Sequence, residues 1–277
     1  MSKVLGIDLG GTGFKAGVVQ NGQLIKQTRL AVHRAMTSDE LFDVLFDLID
    51  GFKDPEVIAA GVGVPGIVNP EEGSIHDIQN LPAWDEIYIK QILEDKYAIP
   101  FNINNDANCF TLAEHRFGKG QPYQNMVGLS IGTGLGMGLI IDGKLYNGLL
   151  CGAGEIGMLK YLDGILEEYC GSFFFTREFN SDGRALFEQA QKGDATALLA
   201  YHKFGKHMGE AVKAISYLYA PNAIVMGGSI AQAYSLFKPG MDQSLASFAY
   251  PKQIQQMKIH VSDLAHSAIL GAAALSY

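Results

Sequence analysis

The chain has 277 residues, 48% of them hydrophobic, which is enough for two domains of ordinary size with a buried core. Its formal net charge is -8 and its sequence pI is about 5.3, an acidic balance that argues against a nucleic-acid-binding surface. An anionic cofactor is not excluded, because backbone N–H groups and a metal ion can bind phosphate on an acidic protein.

The three cysteines, Cys109, Cys151 and Cys170, form no CxxC pair, so neither a disulfide framework nor a cysteine-based zinc site is indicated. The N-terminal residues lack the features of a signal peptide, and no stretch approaches the roughly 18 apolar residues that a membrane span needs. We therefore expect a cytoplasmic protein with neither a membrane nor a nucleic acid as partner.

The first 117 residues predict an α/β domain that contains hairpins. Asn21-Gly22 indicates a hairpin turn, and Ser38 is a candidate N-cap for the first helix. Strands are predicted at residues 4–9, 14–19, 24–30, 57–64 and 101–104, and helices at 39–52, 85–97 and 107–117.

The same succession begins again after residue 125, with Asp142-Gly143 as the turn of a second hairpin. Strands are predicted at residues 126–131, 135–141, 223–226 and 258–261, and helices at 195–219 and from Ser267 onward. Hairpins mixed with helices indicate an α/β fold that is not a strict alternation of strands and helices.

Residues 11–24 align with residues 132–145 without a gap, and six of the fourteen positions are identical. Two unrelated hairpins that share turn residues would explain this. The alternative is a duplicated module in which each domain opens with a strand, a Gly-Thr-Gly turn and a hairpin. In that case, two such turns facing a common cleft would hold a polyphosphate from both sides.

The first turn follows Asp8 and contains Gly10, Gly11 and Thr12, with Lys15 shortly after it. Glycines at a strand end expose backbone N–H groups to phosphate oxygens, and the threonine adds a hydroxyl donor. A carboxylate at the strand end can hold Mg²⁺ through water. An ordinary tight turn is the alternative, but the second copy downstream favours phosphate binding.

The second turn contains Gly132, Thr133 and Gly134 within a strand-rich run, where glycines cost stability unless the backbone must approach a ligand. A bulged structural hairpin is the alternative. Neither turn matches a Walker A loop or a Rossmann fingerprint. Gly227-Gly228 joins a predicted strand to a helix, so it either covers an adenine or is a plain connection.

A dense polar cluster at residues 104–108 follows a strand and opens a helix. Asp106 can be a helix N-cap or, in a closed cleft that raises its pKa, a general base toward a hydroxyl. The surrounding asparagines suit a polyhydroxylated ligand. Asn80 and Glu155 are further candidates for sugar contacts, and Trp84 either stacks on a sugar or fills a core.

These motifs together resemble the ROK family of sugar kinases and repressors, which belongs to the actin-like ATPase superfamily. The resemblance covers nearly the whole chain. The matching motifs, in order, are Asp8-Leu9-Gly10-Gly11-Thr12, Pro65-Gly66, Asn80-Leu81, Asn105-Asp106-Ala107-Asn108, Ile131-Gly132-Thr133-Gly134, Gly154-Glu155-Ile156-Gly157 and Gly227-Gly228.

The resemblance implies two similar ribonuclease-H-like domains around an interdomain cleft. The first would comprise residues 1–117 with the C-terminal helix at 266–277, and the second residues 118–265. It also implies ATP with Mg²⁺, transfer of a phosphoryl group to a hexose hydroxyl, Asp106 as catalytic base, Asn105 and Glu155 as sugar ligands, and a homodimer.

One departure from the family pattern concerns a structural zinc. Members typically carry a histidine after Gly-Glu-Ile-Gly and then a cysteine cluster, whereas this chain has Met158 and the single Cys170. One thiolate cannot form a closed site, so we expect no structural zinc and an apolar plug at residues 173–175 instead. Glu178 is a candidate for the family's later sugar-binding glutamate, although its register is off by one. Glu167 and Glu168 are alternatives.

We therefore expect a kinase that phosphorylates a hexose or hexose derivative. The alternative is a catalytically silent sugar- or nucleotide-binding sensor of the same family. A repressor of this family is disfavoured, because Asp8 lies too near the start of the sequence for a preceding helix-turn-helix domain. A related kinase acting on acetate or on an acyl or amide substrate is disfavoured by the asparagine-rich cluster.

Overall fold

The computed structural model describes residues 3–76, 78 and 80–277. The chain divides into two units. The first comprises Met1–Gln121, Leu145–Ala153 and Leu264–Tyr277, and the second comprises Pro122–Lys144 and Gly154–Asp263. The division after Gln121 lies beyond the predicted boundary at 117/118. The segment Leu145–Ala153, which sequence reasoning placed in the second domain, packs with the first unit.

The described residues form an α/β structure in which most strands lie where the sequence predicts them. The strands are β1 (Lys3–Gly10), β2 (Gly13–Gln20), β3 (Gln23–Ala31), β4 (Val57–Val64), β5 (Ile67–Asn69), β6 (Ser74–His76), β7 (Glu86–Ile87), β8 (Phe101–Asn105), β9 (Met126–Ile131), β10 (Leu135–Ile141), β11 (Lys144–Leu145), β12 (Lys160–Tyr161), β13 (Gly164–Ile165), β14 (Ala223–Gly227) and β15 (Lys258–Val261).

Helices pack around these strands. They are α1 (Ser38–Asp50), α2 (Ile89–Tyr97), α3 (Asp106–Phe117), α4 (Leu166–Cys170), α5 (Phe173–Phe179), α6 (Gly183–Gln191), α7 (Ala195–Tyr219), α8 (Tyr234–Leu245), α9 (Pro251–Gln256) and α10 (Ser267–Ala274). Short 3₁₀ turns occur at Leu149–Cys151, Ile156–Met158 and Ile230–Ala233. Among the described residues, no helix combines the length and apolarity needed to cross a bilayer.

The sheet of the first unit joins its strands in the order β3-β2-β1-β4-β8. β1, β2 and β3 pair antiparallel through hairpins, whereas β1, β4 and β8 run parallel. β1 and β4 are nearly continuous apolar runs because residues on both faces of these central strands are largely buried. The parallel strands therefore bring three carboxyl ends to one edge of the sheet.

The sheet of the second unit has the corresponding order β11-β10-β9-β14-β15, again with a hairpin next to parallel strands. The two hairpins close differently. Gly10 pairs with Gly13 across the first turn, whereas Ile131 pairs with Leu135 across the second. Relative to the ungapped alignment, the second turn is therefore longer by one residue. The matching strand order favours a duplicated module over a chance similarity of turns.

The C-terminal helix α10 packs on the sheet of the first unit at glycine positions. A Cβ at Gly6 would lie 2.1 Å from the Ile269 carbonyl oxygen, and one at Gly61 would lie 1.7 Å from the Ala272 carbonyl oxygen. Glycine is therefore required at both positions for the helix backbone to approach the strands. The end of the chain, Leu264–Tyr277, thus packs within the first unit.

Three local predictions need correction. The N-cap of α1 is Thr37, not Ser38, because the Thr37 hydroxyl and the Glu40 carboxylate form a capping box. The helix predicted at 85–97 begins only at Ile89, since Glu86–Ile87 pairs with β6 as a strand. Trp84 is fully buried against Phe14 and Phe42, so it fills the core and does not stack on a sugar.

Candidate active-site elements

The carboxyl ends of β1, β4 and β8 bring the predicted catalytic groups of the first unit to one sheet edge. Asp8 pairs in register with Gly63, and Gly63 pairs with Asn104 on the next strand. Asn105 and Asp106 follow directly, where β8 passes into α3. A polar edge built from parallel strand ends is the usual position of a ligand site in α/β sheets.

The first turn is held by polar contacts from neighbouring strands. Lys15 Nζ lies 2.9 Å from Asp8 Oδ2, across the hairpin. The Arg29 guanidinium donates to the Thr12 carbonyl oxygen at 2.9 Å. A Cβ at Gly11 would lie 2.5 Å from Asn80 Cβ, so the turn backbone and Asn80 are in contact. The structure thus brings together the predicted first-turn residues and Asn80, and it adds Arg29.

Asn105 determines where α3 begins. Its side-chain oxygen accepts hydrogen bonds from the backbone N–H groups of Ala107 (2.8 Å) and Asn108 (3.4 Å), which makes it the N-cap. Its side-chain nitrogen donates to the Gly66 carbonyl oxygen at 3.1 Å. Asp106 is therefore the first helical residue rather than the cap. Its side chain is exposed, and Asp106 Oδ1 lies 2.8 Å from the Ala107 nitrogen.

The pKa of the buried Cys109 thiol is affected by both acidic residues of this edge, Asp8 and Asp106. Burial raises the pKa of the Cys109 thiol well above its usual value, and the negative charges of Asp106 and then Asp8 raise it further. A Cβ at Gly63 would lie 3.2 Å from Cys109 Sγ. The negative charges of Asp106 and Asp8 thus both act on one buried thiol at this sheet edge.

In the second unit, the turn Gly132–Gly134 rests on the start of the helical region. The Ser172 backbone N–H donates to the Gly132 carbonyl oxygen at 2.9 Å. The Leu135 N–H donates to Glu167 Oε2 at 2.9 Å, and a Cβ at Gly134 would lie 2.2 Å from that oxygen. Glycine at position 134 therefore allows the carboxylate to approach, whereas Thr133 is exposed at the tip of the turn.

Gly227 and Gly228 lie beside this second turn. Gly227 pairs with Ser130 at the end of parallel strands β14 and β9. Gly228 has φ +86°, and a Cβ there would lie 2.3 Å from the Ile131 carbonyl oxygen. A Cβ at Gly132 would meet nothing nearer than Ser229 Oγ at 4.0 Å. Packing explains the glycine at 228, whereas open space lies in front of Gly132.

Glu155 lies under the electrostatic influence of Glu167. Although Glu155 as a residue is exposed, desolvation of its carboxyl group raises its pKa above the usual value, and the charge of Glu167 adds to this effect. The segment that carries Glu155 also packs against Glu167, since a Cβ at Gly157 would lie 2.8 Å from the Leu135 carbonyl oxygen and 3.3 Å from Glu167 Cβ. Two of the glutamates singled out from the sequence, Glu155 and Glu167, thus lie beside the second turn.

Glu178 and Glu168 have other surroundings. Glu178 is exposed on α5, where its carboxylate lies 3.1 Å from Arg177 Nε. The Arg177 guanidinium also stacks on the Tyr169 ring, 3.9 Å from its centroid. Glu168 accepts a long hydrogen bond from the Ile165 N–H at 3.4 Å. The glutamate whose charge raises the pKa of Glu155 is Glu167.

The region where the family has its zinc cluster contains aromatic side chains. Phe174 and Phe175 are buried among Phe204 and Tyr201, whereas Phe173 is exposed, so the predicted plug consists of two residues. His207 Nδ1 lies 3.0 Å from the Tyr161 hydroxyl. Within the part of the chain that the structure describes, no group of three or more His, Cys, Asp or Glu residues is placed to hold a metal ion.

Sequence reasoning missed Arg29 and Ser172. Strand pairing places Arg29 opposite Lys15, and a backbone contact places Ser172 under Thr133. Neither residue lies in a motif, so no local signal in the sequence indicates its position. Only the pairing of β2 with β3 marks Arg29 as a neighbour of the first turn.

The two units, each with a hairpin and parallel strands in the same order, define an α/β protein of the ribonuclease-H-like, actin-like ATPase fold. The ROK family model matches residues 4–174 and 174–277, so the chain belongs to the ROK family.

Known proteins similar to this chain include both kinases and a regulator. A glucokinase from Thermotoga maritima is 26% identical over 309 aligned positions, covering 99% of this chain and 96% of that protein. A xylose repressor from Caldicellulosiruptor bescii is 26% identical, covering 98% and 76%. The crystal structure of a ROK hexokinase from Thermus thermophilus is 26% identical, with a TM-score of 0.81, covering 99% and 98%.

Proposed function

We propose that this protein is an ATP-dependent kinase that phosphorylates a hydroxyl group of a hexose or hexose derivative. The observation that carries the proposal is the placement of Asp8, the Gly10–Thr12 turn and Asp106 on one edge of one sheet. Similarity to a glucokinase and a ROK hexokinase supports sugar phosphorylation in general. We also propose a cytoplasmic location, as the N-terminal sequence and the lack of long apolar stretches lead us to expect, and a homodimer, as the family resemblance implies.

The residues at the turns suit ATP and Mg²⁺. In the second unit, the open space in front of Gly132 lets a phosphate approach the turn, although the Gly132 N–H itself donates to the Gly134 carbonyl oxygen at 3.0 Å. In the first unit, Gly10, Gly11 and Thr12 offer backbone and hydroxyl donors. Asp8, with its side chain 14% exposed, offers the oxygen that Mg²⁺ prefers, directly or through water. Lys15, Gly134, Gly227 and Gly228 complete the proposed nucleotide-binding set.

ATP with Mg²⁺ supplies the phosphoryl group and neutralises part of its charge. Asp106 accepts the proton of the attacking sugar hydroxyl. Asn105 fixes the first turn of α3 and so holds Asp106 at the sheet edge, where its exposed carboxylate is accessible to a hydroxyl. Lys15 balances the charge of Asp8, which lowers the repulsion that Asp8 would otherwise exert on anionic groups nearby.

The sugar is proposed to bind through amide and carboxylate side chains. Asn80, Asn105 and Glu155 are the proposed ligands. The Asn80 amide can both donate and accept, whereas Asn105 offers the N–H that remains after its bonds to Ala107, Asn108 and Gly66. A carboxylate such as Glu155 accepts strong hydrogen bonds from hydroxyls. Glu178 remains a candidate from the sequence. We prefer Glu167 to Glu178 as a second carboxylate ligand of the sugar, because the charge of Glu167 acts on Glu155.

A coupled assay of ADP release across a panel of hexoses, N-acetylhexosamines and β-glucosides tests the proposal. We expect sugar-dependent turnover that requires Mg²⁺ and exceeds the rate without sugar by orders of magnitude. Saturable sugar binding by calorimetry without turnover would instead identify a catalytically silent sensor. Turnover with acetate or another carboxylate, but not with sugars, would overturn the assignment of the acceptor.

A further inference from the structure

A short strap of the chain, Leu145–Ala153, belongs to the first unit although the residues on both sides of it belong to the second. Residue Gly154 and the proposed sugar ligand Glu155 follow its last residue directly. The contacts of the strap with the first unit therefore act on a segment that leads straight to a proposed ligand.

The side chain of Asn104 joins the strap to the start of α3. Its oxygen accepts from the backbone N–H of Asn105 at 2.9 Å and from Asn108 Nδ2 at 2.9 Å. Its nitrogen donates to Asn147 Oδ1, on the strap, at 3.0 Å. A backbone N–H can only donate, so the bond from Asn105 fixes which end of the Asn104 amide is the acceptor. The direction of the bond to Asn147 follows from this.

The strap contains two residues in a strained backbone conformation, which its contacts with the first unit hold in place. Leu150 and Cys151 have φ of 53° and 57°, a left-handed conformation that is unfavourable for residues with a side chain. Cys151 is buried in the core of the first unit, and the Ala153 N–H donates to the Asn147 carbonyl oxygen at 3.0 Å. Asn147 therefore holds the strap together through its backbone and ties it to Asn104 through its side chain.

We propose that Asn104 is a positioning residue that, through Asn147, couples the strap before Glu155 to the helix turn that carries Asp106. This inference rests on the proposed sugar kinase activity. Asn104 is 4% exposed, and its side-chain oxygen accepts a hydrogen bond from the backbone N–H of Asn105, directly before α3. It acts on the reaction by holding Asn105, Asp106 and the strap in a fixed relation.

Two variants of one residue test the coupling. Asn147→Leu keeps the shape but removes the acceptor, whereas Asn147→Asp keeps an acceptor for Asn104 Nδ2. We expect Asn147→Leu to lower kcat/KM for the sugar by about tenfold, the size of one net hydrogen bond, with an unchanged KM for ATP. Asn147→Asp should stay within about twofold of the wild type.

Asn102→Leu is the matched control, since it removes an asparagine bond from the same strand, to Ser276 Oγ at 3.1 Å, without touching the strap. It should leave the sugar kcat/KM unchanged. Wild-type kinetics in Asn147→Leu would overturn the inference. An equal loss in Asn147→Asp would also overturn it, because the hydrogen bond would then not be the cause.

Hydrogen exchange separates this inference from the proposed function. The amides of Ala107 and Asn108 should exchange several-fold faster in Asn147→Leu and remain at the wild-type rate in Asn147→Asp and Asn102→Leu. If the wild type phosphorylates no sugar, the proposed function fails, and exchange alone decides the coupling. Unchanged exchange in Asn147→Leu would overturn the inference whether or not the enzyme is active.

Discussion

Asp8 and Lys15 face each other across the first hairpin, with 2.9 Å between the carboxylate oxygen and the ammonium nitrogen. Lys15 is 46% exposed, so the pair contributes less than about 1 kcal/mol to folding. The pair thus contributes little to stability, and its position beside the Gly10–Thr12 turn suits the proposed role in ligand binding.

Asp8→Asn should therefore affect metal use rather than folding. We expect the Mg²⁺ concentration for half-maximal rate to rise by about tenfold, with only a small change in melting temperature. Asp54→Asn, which removes the Lys3–Asp54 pair of the same unit, is the matched control and should leave the Mg²⁺ dependence unchanged. A Mg²⁺ titration identical to the wild type would remove Asp8 from the metal site.

Asp106→Asn should abolish proton acceptance while retaining the shape of the side chain. We expect kcat to fall by roughly 100- to 10,000-fold, with ATP binding measured by calorimetry intact. Asp39→Asn removes a carboxylate from the first turn of α1, so it controls for the interaction of Asp106 with the helix dipole. Near-normal turnover in Asp106→Asn would exclude this residue as the base.

Glu155→Gln should raise the stability of the protein at pH 7 while it lowers the activity. The raised pKa means that ionisation of Glu155 opposes folding as the pH rises above the ordinary carboxyl value of about 4.3. The variant should melt at a higher temperature than the wild type at pH 7, and the difference should vanish below about pH 4.

The same variant should lose roughly 10- to 100-fold in kcat/KM for the sugar, because a hydrogen bond to a charged acceptor is weakened. Glu188→Gln, on the exposed surface of α6, controls for a general change of charge. A variant that melts lower at pH 7 would contradict the raised pKa of Glu155, which burial and then the charge of Glu167 cause.

His207 should make the second unit sensitive to acid. Burial lowers the pKa of the His207 imidazole, and the neighbouring charges of Glu178, Arg177, Glu210 and Lys203 act in opposite directions. Since the folded-state pKa lies below the usual 6.5, the unfolded chain takes up a proton first, and stability falls as the pH drops below that value.

His207→Phe should therefore reduce the drop in melting temperature between pH 7.5 and pH 5.5. His202→Phe, which removes the bond to Gln243 from the same helix, is the control and should retain the wild-type drop. The outcome that contradicts this prediction is an identical pH dependence in His207→Phe and the wild type.

Metal chelation should leave the fold intact. Phe174 and Phe175, which the sequence predicts as part of an apolar plug, are buried against Phe204 and Tyr201. After EDTA treatment we expect an unchanged melting temperature, and full activity once Mg²⁺ is restored. A lower melting temperature that zinc alone reverses would show that the chain has a structural zinc after all.

Hydrophobic patterning predicted most of the strands and the long helix α7, because their apolar periods extend over many residues. It failed at short elements. Residues 86–87 lie in a helix-compatible run, yet tertiary pairing with β6 makes them a strand. Neighbouring Thr37 and Ser38 are both good caps, and the position of Glu40 decides between them.

The candidate site was less predictable where its residues depend on long-range contacts. Glu178 follows the cysteine motif in the sequence, but the pairing of the Leu135 N–H with Glu167 indicates which glutamate lies beside the second turn. The bond between Asn104 and Asn147 joins residues 43 positions apart. No spacing rule for a helix or strand predicts such a contact.

The seating of α10 on Gly6 and Gly61 has a consequence for biosynthesis. The strands that receive this helix, β1 and β4, precede it in the chain, and the second unit lies between them and the helix. During synthesis, the positions Gly6 and Gly61 of the first sheet therefore lack the covering helix α10 until the second unit has been made. A change that displaces α10 should therefore expose the strand positions that it covers.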